Sequence, residues 1–101
     1  MANRQRFKEV KEKHMETLSM YVPIVARVHG GTHPEFHDVK AVFDALNEKI
    51  EKADSAETLK LDEEFEKLRG VTSNYTIPED VCESYEAVYN MLKEMDEAYH
   101  N

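Results

Sequence analysis

Apolar residues recur at intervals of three and four along most of this chain, a spacing that forms a continuous stripe only on an α-helix. In a first segment, from about Asn3 to Val28, the residues Phe7, Val10, His14, Leu18, Tyr21, Val25 and Val28 fall on one face. Gly30 and Gly31 end it. Pro23 lies inside and removes a backbone donor to the carbonyl near Ser19, which predicts a bend around the core. A second helix is expected from Thr32-x-x-Glu35, a capping-box pattern with Pro34 in the first turn, to about Lys52, with Phe36, Val39, Phe43, Leu46 and Ile50 as its stripe. A third, acidic helix capped by Asp54 or Ser55 buries Leu61, Phe65 and Leu68. Thr76-x-x-Glu79 with Pro78 repeats the capping pattern and opens a fourth helix, with Val81, Tyr85, Val88, Leu92, Met95 and Tyr99 on one face.

Four such helices joined by short connections pack as an up-and-down bundle, an all-α fold, because each stripe needs neighbours to cover it. The length of 101 residues suits one core, hence a single domain over residues 1–101. Only three glycines and three prolines agree with long helices. The five methionines, Met1, Met15, Met20, Met91 and Met95, read as core filler.

The net charge of −8 is unevenly placed. Residues 1–50 hold eight Lys or Arg against seven Asp or Glu, and residues 51–101 hold five against fourteen. An acidic surface repels phosphate backbones, so no nucleic-acid partner is expected. The one basic stretch, Arg4 to Lys13, is interrupted by Glu9 and Glu12 and reads as a solvated helix face. A single cysteine, Cys82, cannot close an intrachain disulfide, and no redox role is expected of it beside Glu79, Asp80, Glu83 and Glu86. With no signal peptide and no long apolar run, the expectation is a cytoplasmic protein without a membrane partner.

Chemistry would have to come from the histidines. His29, His33 and His37 fall within nine residues, and His33 and His37 could share a face of the second helix as a metal pair does. The plainer reading places His29 at the close of the first helix and leaves the other two exposed. His14 interrupts an apolar face and reads as a core histidine bonded to a buried partner, or as part of an interior metal site. Glu97 and His100 make an E-x-x-H, but a di-iron bundle needs a second such pair and further inward carboxylates. There is no G-x-S-x-G, Gly-rich phosphate loop, C-x-x-C or H-E-x-x-H, so an independent enzyme is not expected.

Two stretches resemble a known family. Val25-Ala-Arg-Val-His29-Gly with His33-Pro34-Glu35 and then Val39, Phe43 and Leu46 is similar to the V-x-x-V-H-G-x-x-H-P-E-L segment of the RIC (repair of iron centres) proteins. Leu68-Arg-Gly-Val-Thr-Ser-Asn-Tyr75-Thr-Ile-Pro78-Glu-Asp-Val-Cys82, continuing through Tyr85, Val88-Tyr89 and Leu92-Lys93, resembles that family's L-T-N-N-Y-x-P-P-x-x-A-C stretch. The resemblance covers most of the chain and implies a shortened hemerythrin-like bundle and a role connected with repair of iron–sulfur clusters under stress. It also implies a di-iron centre held by His and carboxylate ligands, and those positions depart from the pattern. The first ligand histidine aligns near Lys11, three residues from His14; the third-helix histidine aligns near Thr58. The H-M-x-x-E-E that ends the family's second helix has no counterpart between Ile50 and Asp54, and the last H-x-x-x-E would begin just past Asn101. The family's N-terminal cysteine-containing domain has no counterpart in this sequence either.

The expectation is therefore a RIC-like accessory or interaction protein without an intact di-iron site and with no cofactor. Its partner would be another protein or a second copy of itself. The alternative is an iron-binding protein using His14, His29, His33, His37 or His100, with a homo-oligomer interface completing the site. A third reading, a structural dimerisation module with no connection to iron, gains support if exposed aromatics such as Tyr85, Tyr89 and Tyr99 form a patch on one face.

Overall fold

A computed structural model of the chain describes residues 4–53 and 60–100. Four helices follow one another: α1 (Arg4–His29), α2 (Glu35–Lys52), α3 (Asp62–Thr72) and α4 (Glu83–His100), with no strand among the described residues. α1 packs along α4 and α2, and α2 packs on α3, in the up-and-down four-helix bundle that the stripes predict. The molecule measures 38 × 22 × 21 Å. At 1.5 Å per residue α1 alone spans about 39 Å, so it sets the long dimension.

The helix starts differ from the capping-box expectation. The Thr32 hydroxyl donates to the carbonyl of His29, closing α1, and α2 opens after Pro34 with no side-chain cap. The Thr76 hydroxyl likewise donates to the carbonyl of Ser73, and α4 opens only at Glu83, four residues past Glu79. In both places the residue after the threonine precedes a proline, which disfavours the helical region there. The caps expected for α3 at Asp54 or Ser55 lie outside the described residues. Lys60 and Leu61 are not helical, and α3 begins at Asp62.

α3 ends in three successive non-glycine residues with positive φ: Ser73 at 52°, Asn74 at 59° and Tyr75 at 62°. Each left-handed residue costs about 1–2 kcal/mol. Hydrogen bonds hold the turn. The N–H of Asn74 donates to the Arg69 carbonyl at 2.8 Å, and the Tyr75 N–H donates to the Thr72 hydroxyl oxygen at 2.8 Å. That hydroxyl in turn donates to the Leu68 carbonyl at 2.6 Å. Ser73 is exposed, so Ser73→Gly removes the Cβ strain without touching the core and is expected to stabilise the fold by about 0.5–1 kcal/mol, measurable by urea denaturation.

Two aromatic clusters and an aliphatic middle fill the interior. Near the start of α1, Phe7 and Phe65 both meet the ring of Tyr99 at 5.4 Å. At the other end Phe36 meets Tyr85 at 5.0 Å, and Tyr85 meets Tyr89 at 4.9 Å. Between them lie Leu18, Val22, Val39, Leu46, Leu68, Val88, Leu92 and Met95, all buried. All three helix-4 tyrosines are interior, Tyr85 and Tyr99 as their apolar face predicts, so they form no exposed patch in support of a dimerisation module. Val28 is 64% exposed, because beyond Leu18 the buried line of α1 passes through Val22, Val25 and Ala26 instead of Tyr21 and Val28. Met20, at 56% exposed, is not core filler; Met95 is.

Candidate functional site

The turn between α1 and α2 and the loop before α4 bring a group of ionisable side chains together. His29 is the last residue of α1, His33 lies in the turn and Glu35 opens α2, while Asp80 and Cys82 precede α4. His33 uses both ring nitrogens: Nδ1 lies 3.1 Å from Glu35 Oε2 and Nε2 lies 2.9 Å from Asp80 Oδ1. Two carboxylate partners require both nitrogens to donate, the arrangement of an imidazolium. Burial works against that charge, but the hydrogen bonds to Glu35 and Asp80 outweigh it, and His33 titrates above its ordinary value.

His29 Nε2 faces Cys82 Sγ at 3.1 Å, and its ring meets Tyr85 edge-on at 5.4 Å. The Tyr85 and Tyr89 hydroxyls are 3.0 Å apart, and Tyr85 also donates to Glu35 at 3.5 Å. Burial, reinforced by Tyr89, pushes the Tyr85 phenol far up, so it stays protonated. Burial also raises Tyr89. The cluster is thus a clasp joining the α1–α2 turn to the α3–α4 loop. Its imidazole and carboxylate groups are directed at one another.

The sign of the pH effect follows from His33. A histidine raised on folding contributes stability that is fully present below its unfolded value near 6.5 and is lost as the pH rises through the folded value. Wild type minus His33→Gln stability, from urea curves, should therefore be larger at pH 5.5 than at pH 8.5, with the His33 ring protons titrating later than in a short peptide. An equal difference at both pH values would show that the clasp does not select the charged imidazole.

The other histidines lie elsewhere. His14 is buried, and its Nε2 lies 2.9 Å from Glu94 Oε2 on α4. That partner is a half-exposed carboxylate at the bundle's edge instead of a buried one. The hydrogen bond to His14, together with the charges of His14, Lys13 and Arg6, holds Glu94 below the usual carboxylate range. His37 is exposed on α2, against Gly30, where a Cβ would overlap its ring and the Ala26 carbonyl. His33 precedes α2, so the two do not share a helix face.

His100 lies at the far end of α4, its Nδ1 2.8 Å from Asp96 Oδ1 and its Nε2 3.7 Å from Asp62. Asp96 is 5% exposed and is the centre of a second network. The Tyr75 hydroxyl donates to its Oδ2 at 2.7 Å, and Arg69 Nε lies 3.5 Å from the same oxygen. Burial first, and then this bond to Asp96, push the Tyr75 phenol far up.

A di-iron bundle needs inward carboxylates and histidines on facing helices. Here the buried polar side chains are already committed: His14 to Glu94, Thr72 to Leu68, Asp96 to Tyr75, Arg69 and His100, and Glu64 to Lys49 at 2.9 Å. Glu64 Oε1 is the one buried side-chain oxygen without a partner among the described residues. One oxygen is not a ligand set. Among the described residues no three His, Cys, Asp or Glu stand close enough together to hold a metal ion. Lys11, near the first ligand position, is half-buried on α1, and Thr58 lies outside the described residues. Among the described residues, the donor set of a di-iron centre is not assembled.

Comparison of the chain with protein-family models, with curated proteins and with solved structures gives no match. The resemblance to RIC proteins is carried by its two motifs alone. No helix of the described residues is long and apolar enough to cross a membrane.

Proposed function

We propose that this chain is a RIC-like helical accessory protein, associated with iron–sulfur cluster repair or a related stress response, that acts through its surface and holds no di-iron centre inside the bundle. The observation that carries this reading is the interior: Leu18, Val22, Leu92 and Met95 close the middle of the bundle, and each buried polar side chain is already bonded to protein. What is left for recognition is exposed, including Met20, Ile24 and Val28, one helical turn apart on the outside of α1.

The test is affinity purification of the tagged full chain from its source cells, with and without oxidative or nitrosative challenge, against the Met20→Glu/Val28→Glu variant. Enrichment of iron–sulfur enzymes or their repair proteins with wild type, increased by challenge and lost in the variant, is the expected result. Recovery of the same proteins with both forms, unchanged by challenge, would overturn the reading. Both substituted side chains are exposed, so the variant is expected to fold.

A further inference from the structure

A groove of about 600 Å³ opens between the first turn of α1, the end of α3 and the last turns of α4, at the end of the bundle away from the histidine clasp. Its volume falls within the range of small-molecule sites, roughly 300–1,000 Å³. Its walls depart from the rest of the molecule in charge. In a chain of net charge −8, Arg6, Arg69 and Lys93 converge here. Lys93 makes no hydrogen bond or ion pair among the described residues, although Glu97 stands one turn further along the same wall. Arg69 directs Nε at Asp96, and its Nη1 and Nη2 donate to no protein acceptor among the described residues.

Buried Asp96 acts here as a positioning residue. It accepts the Tyr75 hydroxyl and pairs with Arg69 and His100, so its charge is already balanced within the wall while it holds the Tyr75 ring and draws the Arg69 guanidinium to the rim. The left-handed run at Ser73–Tyr75 brings the Asn74 amide to the same rim. A guanidinium, an ammonium and a side-chain amide lining one open volume are the donor set that binds oxyanions. The carboxylate of Glu97 opposes them, and it suits a ligand that offers a hydroxyl beside its anionic group.

We infer that this groove binds a small organic oxyanion carrying a hydroxyl, with Arg69 and Lys93 holding the anionic oxygens and Asn74 donating to them. The oxyanion is a phosphate ester or a hydroxycarboxylate, two sources of one recognition chemistry.

The experiment is an NMR titration of the full chain at constant ionic strength, following the amides of Asn74, Tyr75 and Lys93, with inorganic phosphate, glycerol phosphate and malate as probes. Saturable shifts confined to these residues, with a Kd of about 1 mM or below for at least one probe, are expected. Tighter binding of glycerol phosphate assigns the ligand to phosphate esters; tighter binding of malate assigns it to hydroxy acids. Lys93→Gln, on an exposed side chain, should weaken binding about tenfold by removing a charged donor, and Glu97→Gln should tighten inorganic phosphate by removing a like charge. No saturable shift with any probe up to about 50 mM, or the same Kd for wild type, Lys93→Gln and Glu97→Gln, would overturn the assignment.

Discussion

Phe65→Ala is expected to destabilise the protein by about 3–5 kcal/mol. The ring is 0% exposed and is enclosed by Phe7, Tyr99 and His100. It also anchors α3, which has 11 residues and so about three turns with which to hold its place. Removing the ring leaves a cavity that two aromatic neighbours, fixed from α1 and α4, cannot fill. Native stability for a domain of this size is about 5–15 kcal/mol, so the variant should populate unfolded or partly unfolded molecules at 37 °C. Urea denaturation followed by circular dichroism gives the value. Val28→Ala on the solvent side of α1 should stay within about 0.5 kcal/mol of wild type. A loss below about 1 kcal/mol for Phe65→Ala would mean that α3 is not held by the packing described.

Asp96→Ala is expected to cost about 2–4 kcal/mol, by a different route. The hydrogen bond from Tyr75 and the ion pairs with Arg69 and His100 are lost at once, and they are not equal, since His100 keeps the Asp96 backbone carbonyl as an acceptor. Arg69 is 39% exposed at its side chain and can turn to water. Tyr75 is 8% exposed, so its hydroxyl has far less access to water. The bond from Tyr75 also helps hold three consecutive left-handed residues, so its loss releases the turn that ends α3. Asp96→Asn keeps an acceptor for the phenol and should cost less. In Tyr75→Phe the donor is gone, so adding Asp96→Ala to it should cost less than Asp96→Ala alone; a double-mutant cycle reads this coupling. Fully additive losses would show that the two side chains do not act as a pair.

The four helices were legible because the core is built from apolar residues at helical spacing, and Phe36, Val39, Phe43 and Leu46 are buried on α2 as their spacing requires. The starts of α2 and α4 were not. A threonine three residues before a glutamate says nothing about where its hydroxyl points, and in both cases it turns back to the preceding carbonyl. His14 was legible as a polar interruption of an apolar face, and it is buried. Asp96 carries the same signal, one turn past Leu92 and just before Tyr99. It is hidden in an acidic helix, where one more carboxylate reads as solvated. Its partner Tyr75 comes from a left-handed turn 21 residues away, and no local pattern announces that geometry. The spacing of His29, His33 and His37 suggested a shared site. Instead His33 is drawn to Glu35 and Asp80, His29 to Cys82, and His37 stands apart on Gly30.

These placements bear on the resemblance to the RIC proteins. Of the residues in its two motifs, His29, His33 and Cys82 make contacts between the turn and the loop, Glu35 bonds His33 and Tyr85, and Tyr75 anchors the end of α3. Each has a structural task in this bundle that needs no iron. A chain can keep such residues for its scaffold while its interior is closed by hydrocarbon, and the proposed accessory role follows from that separation of scaffold and ligands.

Iron loading decides whether the bundle interior takes up a di-iron centre. The full chain is incubated anaerobically with excess ferrous iron, exposed to air, desalted, and measured for iron per chain together with the near-ultraviolet absorption of an oxo-bridged pair. Trace iron and an unchanged spectrum are expected. About two irons per chain with the oxo-bridge absorption, the stoichiometry of a di-iron carboxylate bundle, would contradict that expectation.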